Sequence, residues 1–96
     1  MHIEPKIEWN SEKAEKLLTD RNIDINDIAE IIKSNKIIAI EDVPNQSDHP
    51  GQRMYILNYK DYTFCVPFTY TKDGTLFLKT VFPSRTYHKK FGGNNG

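Results

Sequence analysis

The sequence predicts an α+β fold: two helices near the N-terminus, packed on one face of an antiparallel β-meander. Two observations carry this expectation. Apolar residues recur at helical spacing as far as Ile32, and from residue 36 onward the spacing changes to two. Helices that precede the strands, instead of alternating with them, argue for segregated layers and against a parallel α/β sheet. A chain of 96 residues holds one modest core, so a single domain is expected over residues 1–91. Gly92-Gly93-Asn94-Asn95-Gly96 offers no side chain to a core and reads as a frayed tail.

Ile7-Glu8-Trp9 is a short β-prone run, after which Asn10 or Ser11 can cap a helix. Ala14, Leu17 and Leu18 share one helical face, with Glu12, Lys13, Glu15 and Lys16 around the others, which predicts a helix over 11–20. Arg21-Asn22-Ile23 breaks it. Asp24 caps a second helix, whose Ile25, Ile28, Ala29 and Ile32 form an i, i+3, i+4, i+7 stripe; Ser34-Asn35 ends it.

Residues 36–41 read as a buried strand, and 43–52, with Pro44, Asn45, Pro50 and Gly51, as a loop. Residues 53–59 alternate Met54, Ile56 and Asn58 against Tyr55, Leu57 and Tyr59. Lys60-Asp61 makes a two-residue turn without the glycine such hairpins prefer. Residues 62–70 put Tyr62, Phe64, Val66, Phe68 and Tyr70 on one face. Pro67 cannot donate to a ladder and so implies an edge position or a bulge. Lys72-Asp73-Gly74 turns the chain into a last strand over 75–82, on which Lys79 shares a face with Phe77 and Val81.

Charge is divided unevenly. Residues 1–51 carry a formal balance of −5 and residues 52–96 one of +5, an asymmetry that points to an anionic partner for the second half. The longest apolar run, Ile37-Ile38-Ala39-Ile40, is far short of the ~20 residues of a membrane span. Met1-His2-Ile3-Glu4-Pro5-Lys6 has no apolar signal core, so a cytoplasmic setting is expected. Cys65 is alone, which excludes an internal disulfide framework, and its alternation places it opposite the aromatic face as a small packed thiol. Glu41, Asp42, Asp48 and His49 lack zinc-like spacing, and there is neither a glycine-rich phosphate loop nor a serine nucleophile elbow. We therefore expect no metal and no cofactor.

The residues with chemistry to offer lie late in the chain. Arg85 follows Pro83-Ser84 at the end of the last strand, and its planar fork matches phosphate oxygens. Lys89 and Lys90 extend this basic cluster with further cations able to grip phosphate. His88 beside Tyr87 is the histidine nearest the cluster and a candidate proton-transfer group. Lys79 either snorkels to the rim or points into a cleft. Arg53 opens a hairpin strand. Arg53, Lys79 and Arg85 are expected to converge on one exposed patch.

Glu8-Trp9-Asn10-x-x-Lys13, the two short helices, Ile23-x-Ile25-x-Asp27-Ile28-Ala29, Gln52-Arg53 and Pro83-Ser84-Arg85, in that order, resemble the BrnT family over residues 7–91. The resemblance implies a RelE-like fold and the toxin of a type II toxin–antitoxin system, a metal-free endoribonuclease that inhibits translation. It supports Arg53 and Arg85 as functional arginines and aligns Lys13 with the lysine after the Trp-Asn pair as an RNA contact. Lys79, Tyr87 and His88 fall in the region that supplies catalytic groups in RelE-like toxins. Arginines would stabilise charge while the ribose 2′-hydroxyl attacks the phosphate, with Tyr87 or His88 moving a proton. The implied partners are RNA and a cognate ribbon-helix-helix antitoxin, with DNA contacted only through that complex. Asp20-Arg21-Asn22 replaces the family's Lys-His-Gly, and a basic segment replaces its acidic C-terminal helix, marking a divergent member. The alternative is a toxin-derived module that binds a protein partner without catalysis. A stand-alone DNA reader is disfavoured because no basic recognition helix is visible.

Overall fold

Helix capping works as the sequence suggests. In the computed structural model, which describes residues 6–44, 47–48 and 51–91, the Asn10 side chain accepts from the Lys13 amide at 2.9 Å. This opens α1 (Ser11–Arg21), which follows β1 (Ile7–Trp9). Asn22 takes the left-handed conformation with φ 56° and donates to Leu18 at 3.1 Å, while Ile23 donates to Leu17 at 3.0 Å, closing the helix. Asp24 then accepts from Asn26 at 2.9 Å and starts α2 (Ile25–Lys33), which buries Ile25, Ile28 and Ala29. Leu18, expected on the inner face of α1, is exposed; Ala14 and Leu17 supply the contact.

The strands are β2 (Ile37–Asp42), β3 (Arg53–Tyr59), β4 (Tyr62–Tyr70), β5 (Leu76–Leu78) and β6 (Phe82–Pro83). They form an open sheet of order β1-β5-β4-β3-β2, with β6 paired to β4. Pairings from β2 through β5 are antiparallel, but β1 runs parallel to β5, so the sheet is mixed and not antiparallel throughout. The reason is topological: the chain leaves β1, crosses one face as α1 and α2, and enters the sheet again at the far edge as β2. The Lys60-Asp61 turn forms with φ 53° and 63°, the left-handed pair that a two-residue hairpin requires, met here without glycine.

The expected strand over 75–82 is interrupted. β5 ends at Leu78, and after a gap β6 pairs Phe82 and Pro83 with Cys65 and Phe64. Val81 enters the main core with Leu76 and Leu78, so Lys79 does not share a face with it. The same gap accommodates Pro67. On that side of β4 the neighbour changes from β6 to β5, and the Pro67 carbonyl accepts from the Lys79 amide at 2.8 Å while no amide hydrogen is needed.

A third helix, α3 (Arg85–Phe91), forms where the sequence suggested only a basic terminal segment. Ser84 caps it: its hydroxyl accepts from the Tyr87 amide at 3.2 Å and its carbonyl from His88 at 2.9 Å. Helices therefore cover both faces of the sheet. On one, Leu17, Ile25 and Ile28 pack on Leu57, Phe64 and Val66. On the other, Tyr87 and Phe91 pack on Met54, Ile56 and Cys65. The α1–α2 layer is pinned near the β3–β4 turn. The Tyr59 hydroxyl donates to Asp27 at 3.1 Å and accepts from the Asp24 amide at 3.2 Å, and Lys60 donates to the Asn22 carbonyl at 2.7 Å. Among the described residues no helix is long and apolar enough to cross a membrane. The expected tail over 92–96, together with His2 and His49, lies outside the described residues.

Candidate nucleic-acid interface

Because α1 and α2 are anchored at the turn end of the hairpin, the same sheet face opens toward the start of β3. Here Arg53 and Tyr55 of β3, Phe68 and Tyr70 of β4 and Ile40 of β2 line a cleft of about 370 Å³. Strand alternation puts Arg53 on the side of Tyr55 and Leu57. The Tyr55 and Phe68 rings stack with centroids 4.2 Å apart and 17° between planes, and Tyr70 meets Phe68 edge-on at 5.9 Å. Tyr70 is 60% exposed, so one aromatic surface is presented to solvent above a packed floor.

Burial pushes the Tyr55 phenol up to about 12; the neighbouring Tyr70, which is also its hydrogen-bond partner, adds to the rise, and Arg53 opposes it. At neutral pH this phenol keeps its proton and serves as a donor, not as a base. Arg53 Nε lies 3.7 Å from Asp42 across the β2–β3 pair. Both side chains are more than half exposed, so this ion pair is weak and leaves the guanidinium available to a stronger anion.

The other candidates occupy two further places. Lys79 and Lys13 come together, with Lys16, Asn10, Glu12 and Phe77, around a pocket of about 450 Å³ beside the first turn of α1. Arg85, Lys89 and Lys90 are exposed on α3, Lys90 with its ammonium 5.2 Å from the Phe91 ring centroid. Tyr87 points inward to the second core, where burial first, then the charges of Glu41 and Cys65, push its phenol up. His88 stacks on Tyr62 with centroids 4.1 Å apart and holds Nδ1 3.0 Å from the Thr63 hydroxyl.

The expected composite of Arg53, Lys79 and Arg85 is therefore not assembled. Arg53 faces the α1–α2 side at the Phe68 level of β4. Arg85 begins the helix on the other face, and the preceding Ser84 is bonded to Thr63. Five residues of strand, about 17 Å, and the thickness of the sheet lie between them. Convergence requires the strand ends of one antiparallel meander to meet, whereas β5 stops at Leu78 and Arg85 opens a helix after the separate strand β6. Alternation places Phe68 and Tyr70 on one face of their strand and Tyr55 on one face of its own, but does not distinguish the exposed Tyr70 from its buried neighbours. The available signal was Arg53 sharing their face at the end of the strand away from the turn.

Comparison of the chain with protein-family models, with curated proteins and with solved structures gives no match.

Proposed function

We propose that this chain binds single-stranded RNA in the Arg53 cleft and acts in the cytoplasm as a toxin-like, metal-free endoribonuclease. The observation that carries this reading is the placement of one arginine beside an exposed tyrosine over a stacked Tyr55–Phe68 floor. Single-stranded RNA presents unstacked bases and a phosphate for each of them, and aromatic surfaces with an adjacent guanidinium suit both. Tyr70 stacks a base and Arg53 takes the phosphate bidentately, while the protonated Tyr55 phenol, hydrogen-bonded to Tyr70, holds that ring in place.

RNA supplies its own nucleophile in the 2′-hydroxyl, so cleavage needs orientation, charge stabilisation and proton transfer. In this reading Arg53 stabilises the transition-state charge as the 2′-oxygen bonds to phosphorus and the 5′-oxygen leaves, with solvent water accepting the 2′-hydroxyl proton and supplying one to the leaving oxygen. The α+β architecture, with two helices over one sheet face, supports a RelE-like arrangement of the BrnT type. The basic surface of α3, through Arg85, Lys89 and Lys90, is the face a cognate antitoxin covers.

The test is direct. Fluorescence anisotropy with a labelled single-stranded RNA should show Arg53→Ala and Tyr70→Ala each weakening binding, and induction of the parent chain should arrest bacterial growth. Equal affinity of both variants and the parent for RNA would remove the cleft from the proposal.

A second reading is a toxin-derived module that binds a protein partner without cleavage. It is favoured by the open edge at β2, where Ile38 and Ile40 are 41% and 39% exposed, and by the placement of Tyr87 and His88 away from Arg53. Verified soluble expression with normal growth and no RNA cleavage would select this reading.

A further inference from the structure

The pocket beside the first turn of α1 combines features that its surroundings do not explain. Lys13 and Lys16 come from successive turns of one helix face and Lys79 from the chain leaving β5, yet all three line the same concavity. Convergence of like charges from separate elements is unfavourable unless something offsets it. Among the described residues Glu12 is the one carboxylate in the lining, which leaves a balance of two positive charges among them. Lys6 already pairs with the nearby Glu8 at 3.5 Å, so that carboxylate is partly engaged outside the lining. Phe77, half-buried and directly opposite Glu8 in the β1–β5 pair, adds a flat apolar wall. Asn10 also lines it, its carboxamide oxygen accepting from the Lys13 amide.

We propose that this pocket is a nucleoside-phosphate site, with the phosphate among Lys13, Lys16 and Lys79 and the base against Phe77. Three ammonium groups on flexible stems suit an anion whose charge is spread over several oxygens. A phenyl face at the rim suits a base, since base–aromatic stacking is tolerant of sequence. The volume of about 450 Å³ lies within the range of small-ligand pockets. The ligand can be a free nucleotide or the phosphorylated end of a nucleic acid, because both present the same phosphate and base. The site is separate from the Arg53 cleft and does not depend on that cleft binding RNA.

The experiment titrates the full chain with inorganic pyrophosphate, adenosine monophosphate, adenosine triphosphate, and a short RNA bearing either a 5′-phosphate or a 5′-hydroxyl. Amide chemical shifts report the location and calorimetry the affinity. Shifts confined to residues 10–16 and 77–79 are expected for the nucleotides. Lys16→Ala should weaken them about tenfold, as expected when a hydrogen bond to a charged group is lost. Phe77→Leu should weaken the nucleotides while leaving pyrophosphate unchanged. Tighter binding of the 5′-phosphorylated RNA than of adenosine triphosphate identifies a nucleic-acid end as the ligand, and the reverse identifies a free nucleotide. The proposal is overturned if millimolar nucleotide produces no shifts here, if Lys16→Ala binds as tightly as the parent, or if all shifts map to Arg53, Tyr55 and Tyr70. That last result would leave the cleft reading standing and remove this one.

Discussion

His88 lies nearly flat on Tyr62, ring centroids 4.1 Å apart with 21° between planes, and its Nδ1 is 3.0 Å from the Thr63 hydroxyl. Thr63 is fully buried on a strand inside the sheet, and the residue capping α3, Ser84, donates its amide to the Thr63 carbonyl at 3.0 Å. The histidine thus fastens the last helix to the hairpin. A group poised for proton transfer needs a free lone pair near a reacting atom. Here one ring nitrogen is engaged with a buried hydroxyl, and its partner Thr63 stands five residues along β4 from Phe68, the residue opposite Arg53.

His88→Ala should therefore destabilise the fold by about 1–3 kcal/mol, because the buried Thr63 hydroxyl loses its partner and Tyr62 its stacked ring. Urea denaturation measures the loss, and RNA cleavage by the folded fraction should be unchanged. A variant as stable as the parent but inactive on RNA would return His88 to the catalytic role.

Arg53 and Arg85 should separate in their effects. Both are exposed, so replacing either with alanine should alter stability by no more than about 1 kcal/mol. Arg53→Ala should weaken binding to single-stranded RNA roughly tenfold and flatten its dependence on salt, as loss of a phosphate contact does. Arg85→Ala should leave RNA affinity close to the parent's and act instead on binding to a cognate antitoxin. Anisotropy titrations at two salt concentrations distinguish these outcomes, and an Arg85→Ala variant with the larger RNA defect contradicts the division of roles.

Tyr55 sets an alkaline limit. Its phenol, ordinarily at 10.0, is raised to about 12 in the folded chain, with burial as the largest cause. The folded state retains a proton between these values that the unfolded state releases. Its contribution to stability is therefore complete below pH 10 and is lost as pH climbs through about 12. Tyr55→Phe should lack this part of the alkaline decline, so the stability gap between parent and variant should change across that window and be constant below it. Chemical denaturation at stepped pH measures the gap; parallel curves would show that the phenol is not held protonated.

The helices and hairpins were legible because local chemistry specifies them. Asn10 and Asp24 are good caps, Ile25, Ile28 and Ala29 form a stripe, and Lys60-Asp61 can adopt two left-handed residues in succession. The parallel partner of β1 was not legible, since Trp9 meets Leu78 across almost seventy residues of chain and nothing near Trp9 encodes that choice. α3 escaped notice because seven residues give one apolar pair, Tyr87 and Phe91, too little for a periodicity. At the candidate site, Arg53 could be found by charge and position, whereas the value of Tyr70 depends on where α1 and α2 stop covering the sheet, and tertiary anchoring at Tyr59 decides that.

The second core offers the sharpest test of α3. Cys65 is buried beneath Tyr87 and Phe91, and burial pushes its thiol up, with a Ser84 hydrogen bond acting the other way. Both effects of this location oppose reaction: thiolate is scarce and access is closed. In the parent chain a thiol reagent should label Cys65 slowly, at a rate set by opening of the helix. Tyr87→Ala removes half of the aromatic pair, which stacks at 6.0 Å, and should destabilise the protein by about 1–3 kcal/mol, less than a fully buried aromatic would because Tyr87 is only half-buried. Labelling should then accelerate by about five- to 150-fold, matching the increased population of the open helix. Arg85→Ala, on the solvent side of the same helix, should leave the rate unchanged. Fast labelling of the parent, or equal rates in the parent and Tyr87→Ala, would mean that α3 does not seal this face of the sheet.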